Sequence, residues 1–187
     1  MIRIFTAIKI HPDSSVLHCI DTLKNHFADD KINWVNPQNL HITLKYFGDT
    51  PVKKVSEISQ CLQDSAQKSH SFNLFLKGTG SFGSPGQPKV LWLGIENHER
   101  LSQLYHRINK SLEALHYKAD KPFFNPHITL GRIKEFINPQ KLYQSLAQYA
   151  DTEFQTVYID KFYLIQSILQ PKGPTYKVLD SFQLKSS

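Results

Sequence analysis

The chain has 187 residues, 40% hydrophobic and 20% charged, enough to bury a core without help from disulfides or metal. Lysine and arginine number 22 against 16 aspartates and glutamates, and the net charge of +6 favours an acidic partner such as RNA. Cys19 and Cys61 lie too far apart for a metal or redox pair and suit a reducing compartment; no apolar run reaches the ~20 residues of a membrane span; and the apolar Ile2 to Ile10 ends at His11-Pro12-Asp13, not at a small-residue cleavage site, so a cytoplasmic protein is expected.

Arg3 to Ile10 reads as a first strand. Pro12-Asp13-Ser14 starts a helix, with Val16, Leu17, Ile20, Leu23 and Phe27 at helical spacing. Pro37 and the asparagines around it mark a turn before a β-branched run, Leu40 to Phe47. Pro51 fits the first turn of a second helix whose stripe is Val55, Ile58, Cys61 and Leu62. Ser71 to Lys77 and Lys89 to Ile95 are strands, and a Gly- and Pro-rich loop is expected between them. A third helix spans His98 to Leu115, with Leu101, Leu104, Tyr105, Ile108 and Leu112 inward. Lys118 to Asn125 is a connector, and Pro126 to Ile133 a further strand. Asn138-Pro139 opens a fourth helix on Leu142, Leu146 and Tyr149. Thr156 to Ile168 and Tyr176 to Leu184 are the last strands, joined by the turn Pro171-Lys172-Gly173-Pro174.

Two of these strands carry the same words. His41-Ile42-Thr43-Leu44 recurs as His127-Ile128-Thr129-Leu130, 86 residues on (127 − 41). Side chains alternate along a strand, so His41 and Thr43 share one face while Ile42 and Leu44 point into a core, and the second copy behaves alike. If the halves face each other, two imidazoles and two hydroxyls meet in one cleft. Histidine titrates near neutral pH, so one ring can take a proton while the other gives one, and threonine hydroxyls can bind phosphate oxygens. Neither motif holds a strong nucleophile, which points to water attacking phosphorus. The repeated strand-helix order and the repeated motif together indicate a duplicated α+β unit.

Gly78-Thr79-Gly80-Ser81-Phe82-Gly83 matches the dinucleotide-binding pattern G-x-G-x-x-G. That fold needs a helix directly afterwards, and Ser84-Pro85-Gly86-Gln87-Pro88 leads into a strand instead, so the match is rejected.

The chain resembles the two-histidine (2H) phosphoesterase superfamily, and within it the bacterial RNA 2',3'-cyclic phosphodiesterases, also called 2'-5' RNA ligases. The likeness runs through Arg3 to Ile8, Trp34, Pro37, Asn39 to Gly48, Val90 to Gly94, Phe124 to Arg132, Gln166-Ser167, Gly173 and Tyr176. It implies an α+β, bilobal fold. The duplicated β-α-β-α-β unit would build two mainly antiparallel sheets facing a central cleft, with helices outside and residues 1–187 forming a single two-lobed domain. It implies hydrolysis of a terminal 2',3'-cyclic phosphate on RNA to a 2'-phosphate, without metal or cofactor. His41 would be the proton donor and His127 the acceptor, with Thr43, Thr129 and Arg132 binding the phosphate. The partner would be an RNA or oligonucleotide with that terminus, no membrane would be involved, and the chain would be a monomer. The Gly80 to Pro88 stretch departs from the family's shorter run and bears on substrate preference.

Three rival readings make distinct demands. The same cleft could join a cyclic phosphate to a 5'-hydroxyl end as a 2'-5' linkage. A non-catalytic RNA- or nucleotide-binding module could stack bases on Phe82, Trp92, Phe123 and Phe124, although core positions for these aromatics are the plainer expectation. Nine histidines raise a metal hydrolase, but His-x-Thr is not a paired ligand motif and no acidic residue sits in either copy.

Overall fold

The computed structural model describes residues 1–117, 124–135, 138–171 and 173–186. In chain order they form β1 (Ile2–Lys9), α1 (Ser14–His26), β2 (Ile32–Trp34), β3 (His41–Thr50), α2 (Val55–Ala66), β4 (Phe72–Ser84) and β5 (Gln87–Glu96). Then follow α3 (Glu99–Leu112), β6 (Ile128–Ile133), α4 (Pro139–Ala147), β7 (Glu153–Ile159), β8 (Lys161–Ile168) and β9 (Thr175–Gln183).

The helices start where the sequence signals them. Asp13 accepts hydrogen bonds from the amides of Ser15 and Val16 and caps α1; Asn138 does the same for α4 through Gln140 and Lys141. Pro51 precedes a 3-10 turn, Val52–Lys54, that runs into α2. Val16, Cys19, Ile20 and Leu23 form the buried face of α1, whereas Leu17, included in the expected stripe, is exposed because it lies a residue off that face. On α3, Leu101, Leu104, Tyr105, Ile108 and Leu112 are all buried, and the helix closes in a 3-10 turn at Leu115.

The strands make a nine-stranded antiparallel sheet in the order β7-β4-β5-β6-β3-β1-β8-β9, with β2 paired to β6. The two sheets expected from the sequence are its two halves, and they join at the pair Ile42–Ile128, inside the repeated motif. Ile42 and Ile128 are fully buried in a core that also takes residues from all four helices. The opposite face of the β1 half carries a smaller cluster, Phe5, Ala7 and Ile165 with Tyr163 and Tyr176.

The halves of the sheet are not the halves of the sequence. β4 pairs with β5 and β7, and β8 pairs with β1, so each half of the sheet borrows strands from the other half of the chain. The single strand expected from Thr156 to Ile168 is therefore two. β7 ends at Ile159 beside β4, and β8 begins at Lys161 beside β1. The crossing at Asp160 has no glycine or proline to announce it.

The loop expected from Gly78 to Pro88 is also corrected. β4 runs on to Ser84, β5 starts at Gln87, and Pro85-Gly86 makes a tight hairpin turn between them. Gly78 and Gly83 have φ of 73° and 132° and lie where the ladder shifts register, so they are bulge glycines inside a strand. Of the expected connector, only Phe124 and Asn125 are described. Phe123 lies outside the described residues, as does Lys172 of the last turn.

Candidate active site

The backbone delivers each motif in the same way. Along β1 and β3 the register runs Lys9–His41 and Ala7–Thr43, then jumps to Thr6–Lys45 and Phe5–Tyr46, so Leu44 is an extra residue. Along β5 and β6 it runs Trp92–Thr129, then Leu91–Gly131 and Val90–Arg132, so Leu130 is the extra residue. Both copies thus carry a bulge directly after the threonine. A bulge re-aims the residues that follow it. Strict alternation would turn Arg132 away from Thr129. Instead Arg132 and its counterpart Tyr46, again 86 positions apart (132 − 46), both line the cleft. Lys45, which simple alternation would place beside Thr43, is buried and lines neither chamber, whereas the extra residue Leu44 lines the one beside His127.

The two imidazoles are held alike. His41 Nδ1 donates to the carbonyl of Asn39 at 2.7 Å, and His127 Nδ1 donates to the carbonyl of Asn125 at 2.9 Å. A carbonyl can only accept, so Nδ1 carries the proton in both rings and Nε2 is the nitrogen that can serve a substrate. Their surroundings differ. His41 packs between Phe5, at 5.1 Å between ring centres, and the edge of Tyr176, at 5.4 Å. His127 meets the edge of Phe82 at 4.7 Å. Burial pushes the His41 pKa below the ordinary histidine value. Its hydrogen bond to Asn39 opposes that shift, and the positive charges of His127 and Arg132 add to it. Burial raises the Tyr176 phenol, with Arg132 pulling the other way.

The cleft has two chambers that adjoin along Thr43 and Arg132. The chamber beside His127 is about 600 Å³ and also takes in Thr129, Phe82, Val90, Tyr105, Phe124 and Asn125. Its wall is flat and aromatic, with Tyr105 and Phe124 stacked at 4.0 Å and 11°. The chamber beside His41 is about 410 Å³ and mixed in character, with Arg3, Tyr46, Ser167 and Tyr176 on its lining beside Phe5, Leu169 and Pro174. Another hollow, of about 460 Å³, lies beside Phe75, Glu96 and Glu153, holds carboxylates on its wall, and contains none of these residues.

His41, Thr43, His127, Thr129 and Arg132, the five residues picked from the sequence, are thus brought into one cleft. Phe82 lines it, contrary to the expectation of a core position; Phe124 lines it and also packs against the core, as expected, while Trp92 packs against Phe82 at 5.5 Å and is not among the lining residues. Sequence reasoning missed Arg3, Tyr46 and Tyr105 as cleft residues. Tyr46 carried a usable signal: it stands three residues after Thr43, as Arg132 stands after Thr129. Among the described residues, no group of three or more His, Cys, Asp or Glu side chains could hold a metal ion. No helix among them is long and apolar enough to cross a membrane.

Known proteins resemble this chain in sequence and in fold. Residues 11–169 match the family described as the 2'-5' RNA ligase superfamily. An RNA 2',3'-cyclic phosphodiesterase of Methanothermobacter thermautotrophicus is 32% identical over 164 residues, covering 88% of each chain. That of Archaeoglobus fulgidus is 32% identical over 182 residues, covering 97% of this chain and 99% of the relative. Among solved structures, TT0787 of Thermus thermophilus aligns with a TM-score of 0.78 at 25% identity over 99% of both chains. Escherichia coli LigT complexed with 3'-AMP shares the fold, with a TM-score of 0.71 at 23% identity over 98% of both.

Proposed function

Since the chain belongs to the 2'-5' RNA ligase superfamily, we propose that it is an RNA 2',3'-cyclic phosphodiesterase, a hydrolase that opens a terminal 2',3'-cyclic phosphate to a 2'-phosphate without a metal. The observation that carries this reading is the pair of matched imidazoles, each with Nδ1 committed to a backbone carbonyl, flanking the two threonines and Arg132.

In this mechanism water attacks phosphorus from the His127 side and passes a proton to His127 Nε2. The bond from phosphorus to O3' breaks, and O3' takes the proton from His41 Nε2. The product has a 2'-phosphate and a 3'-hydroxyl, and proton exchange with solvent resets the pair. Thr43, Thr129 and Arg132 hold the phosphate oxygens, where a guanidinium offers charge-assisted hydrogen bonds. The active state carries one proton shared by the pair, so the apparent pKa values of the rate belong to both rings. Burial and its positive neighbours depress His41. A phosphate bound between the rings supplies negative charge that draws the proton onto it. Residues 1–187 act as a single two-lobed domain, a cytoplasmic monomer whose partner is an RNA or oligonucleotide with a cyclic phosphate end, and no membrane takes part. The free thiols of Cys19 and Cys61 are compatible with that compartment.

The family description also favours a second reading, in which a 5'-hydroxyl end replaces water and the product is a 2'-5' linkage. Supplying both RNA ends and looking for a longer strand separates the two. The primary test incubates a short RNA ending in a 2',3'-cyclic phosphate, in EDTA, with the wild type, His41→Ala and His127→Ala. Opening by the wild type and its loss in both variants is the expected result. A cyclic phosphate left intact by the wild type would remove the hydrolase reading, and RNA bound without turnover would favour a binding module.

A further inference from the structure

The two chambers differ in chemistry, and a nucleotide is also two-sided. In a 2',3'-cyclic phosphate, O2' lies on the C1' side of the ribose, where the base is attached. O3' lies on the C4' side, where the chain continues through O5' to the next phosphate. A terminal nucleotide with its phosphorus between the histidines must send its base into one chamber and its upstream phosphate into the other. The His127 chamber is flat, aromatic and apolar, with Phe82 and the stacked pair Tyr105 and Phe124, which suits a base. The His41 chamber holds Arg3 together with the hydroxyls of Tyr46, Ser167 and Tyr176, which suits a phosphodiester.

We infer that Arg3 forms an upstream-phosphate subsite and that the terminal base lies in the His127 chamber. The inference rests on the proposed activity and deepens it: the substrate class is an oligonucleotide with at least one phosphodiester before its cyclic end.

The position of Arg3 fits the role. It stands two residues along β1 from Phe5, whose ring touches His41, a step of about 7 Å at the rise of a strand. That step is on the scale of one nucleotide repeat. Asp49, opposite on β3, accepts hydrogen bonds from Nε and Nη2 of Arg3 at 3.2 and 3.3 Å. This uses two of the five N–H donors of the guanidinium and fixes its plane. The pair is solvent-exposed, and such pairs add little to stability, so a folding role accounts poorly for it.

The same orientation puts O3' beside His41 and O2' toward His127. Loss of O3' then leaves a 2'-phosphate and requires His41 as donor, so base placement, product and donor are linked, and any two fix the third.

The test compares kcat/KM for a dinucleotide with a cyclic phosphate end and for a nucleoside 2',3'-cyclic phosphate, and reads their ratio. The wild type is expected to favour the dinucleotide by about tenfold or more, the worth of one charge-assisted contact. Arg3→Gln should lose most of that ratio, and so should the wild type given a dinucleotide whose internal linkage is an uncharged methylphosphonate. Phe124→Ala should slow both substrates and keep the ratio. A ratio unchanged by the methylphosphonate overturns the subsite, and needs no variant to fold. An unchanged ratio in folded Arg3→Gln overturns it equally. A wild type that opens neither substrate overturns the hydrolase reading itself, and the subsite with it.

Discussion

The His41 side and the His127 side of the cleft have the same motif, the same Nδ1 anchor two residues upstream, and the same bulge after the threonine. They differ in everything the motif does not reach. Phe5 and Tyr176 close in on His41, while His127 looks into a larger, aromatic chamber. A duplicated backbone supplies two equivalent histidines, but a reaction with a donor and an acceptor needs them unequal. The inequality comes from unduplicated residues: Tyr176 on β9, Phe82 on β4, and Tyr46 where the other copy has Arg132.

The largest effect falls on the part that is the same. His41→Ala and His127→Ala should each lower kcat/KM by about 10²–10⁴-fold, and the double variant should be little worse than the more damaged single, because the pair acts as a unit. Steady-state rates on a cyclic phosphate substrate check this. A phosphodiester with a p-nitrophenolate leaving group then separates the roles. It needs no proton on the departing oxygen, so it should recover much of the loss in His41→Ala and little in His127→Ala. Recovery in the other variant would exchange donor and acceptor.

What could be read in the sequence follows from what repeats. His41, Thr43, His127 and Thr129 declare themselves by copying, and strand periodicity turns them to one face. Helix starts at Asp13 and Asn138 were legible because caps are chemistry local to a few residues. The strand crossing at Asp160 is decided by pairing partners distant in sequence; its local trace is the charged pair Asp160-Lys161, after which the apolar positions shift from Val157 and Ile159 to Phe162 and Leu164. The stretch around Pro85-Gly86 reads as loop because bulge glycines and turn glycines look alike in a sequence. Arg132 was identified by family likeness alone; the bulge at Leu130 that makes its placement possible shows only in the register. Arg3 has no counterpart in a second copy to draw attention to it, and Tyr46 is marked only by standing three residues after Thr43, as Arg132 stands after Thr129.

The next effect tests the unequal bulge positions. Tyr46 and Arg132 sit at matching backbone sites, and only Arg132 lines both chambers. Arg132→Gln should lower kcat/KM by about 10²-fold, in the range seen when one group stabilising a transition-state charge is removed. Arg132→Lys should restore only part of that, since an ammonium lacks the planar fork. Tyr46→Phe should change the rate by no more than a few-fold. Equal losses in Arg132→Gln and Tyr46→Phe would mean that the charge is not what distinguishes the two positions.

A smaller effect concerns stability. The residue after the bulge is Lys45 in one copy and Gly131 in the other, and β2 packs over Gly131. A Cβ there would lie 2.8 Å from Cγ2 of Ile32 and 3.2 Å from Cε3 of Trp34. Gly131→Ala should therefore push β2 off β6 and destabilise by about 1–3 kcal/mol, the usual cost of overpacking, visible as a lower urea midpoint with the slope unchanged. An unchanged midpoint would show that β2 yields freely.

The smallest expected effect is a shift in pH dependence. Activity requires one proton on the pair, so the rate should fall on the acid side when the second ring is protonated and on the alkaline side when the last proton leaves. Burial and the charge of a protonated His127 both make His41 reluctant to accept the second proton. Double protonation is thereby held to lower pH, and the acid limb of kcat/KM in the wild type should lie below the ordinary histidine range. Tyr176→Ala opens the His41 chamber to water and relieves part of that burial. The pKa of His41 should then rise toward its ordinary value, double protonation should come at higher pH, and the acid limb should move upward while the alkaline limb moves less. Phe82→Ala, on the His127 side, lacks this leverage on His41 and should leave the acid limb nearer its original place. If Tyr176→Ala leaves the acid limb where it was, the aromatic enclosure is not what sets His41 apart, and the remaining electrostatic source of the difference is the charge of His127 and Arg132.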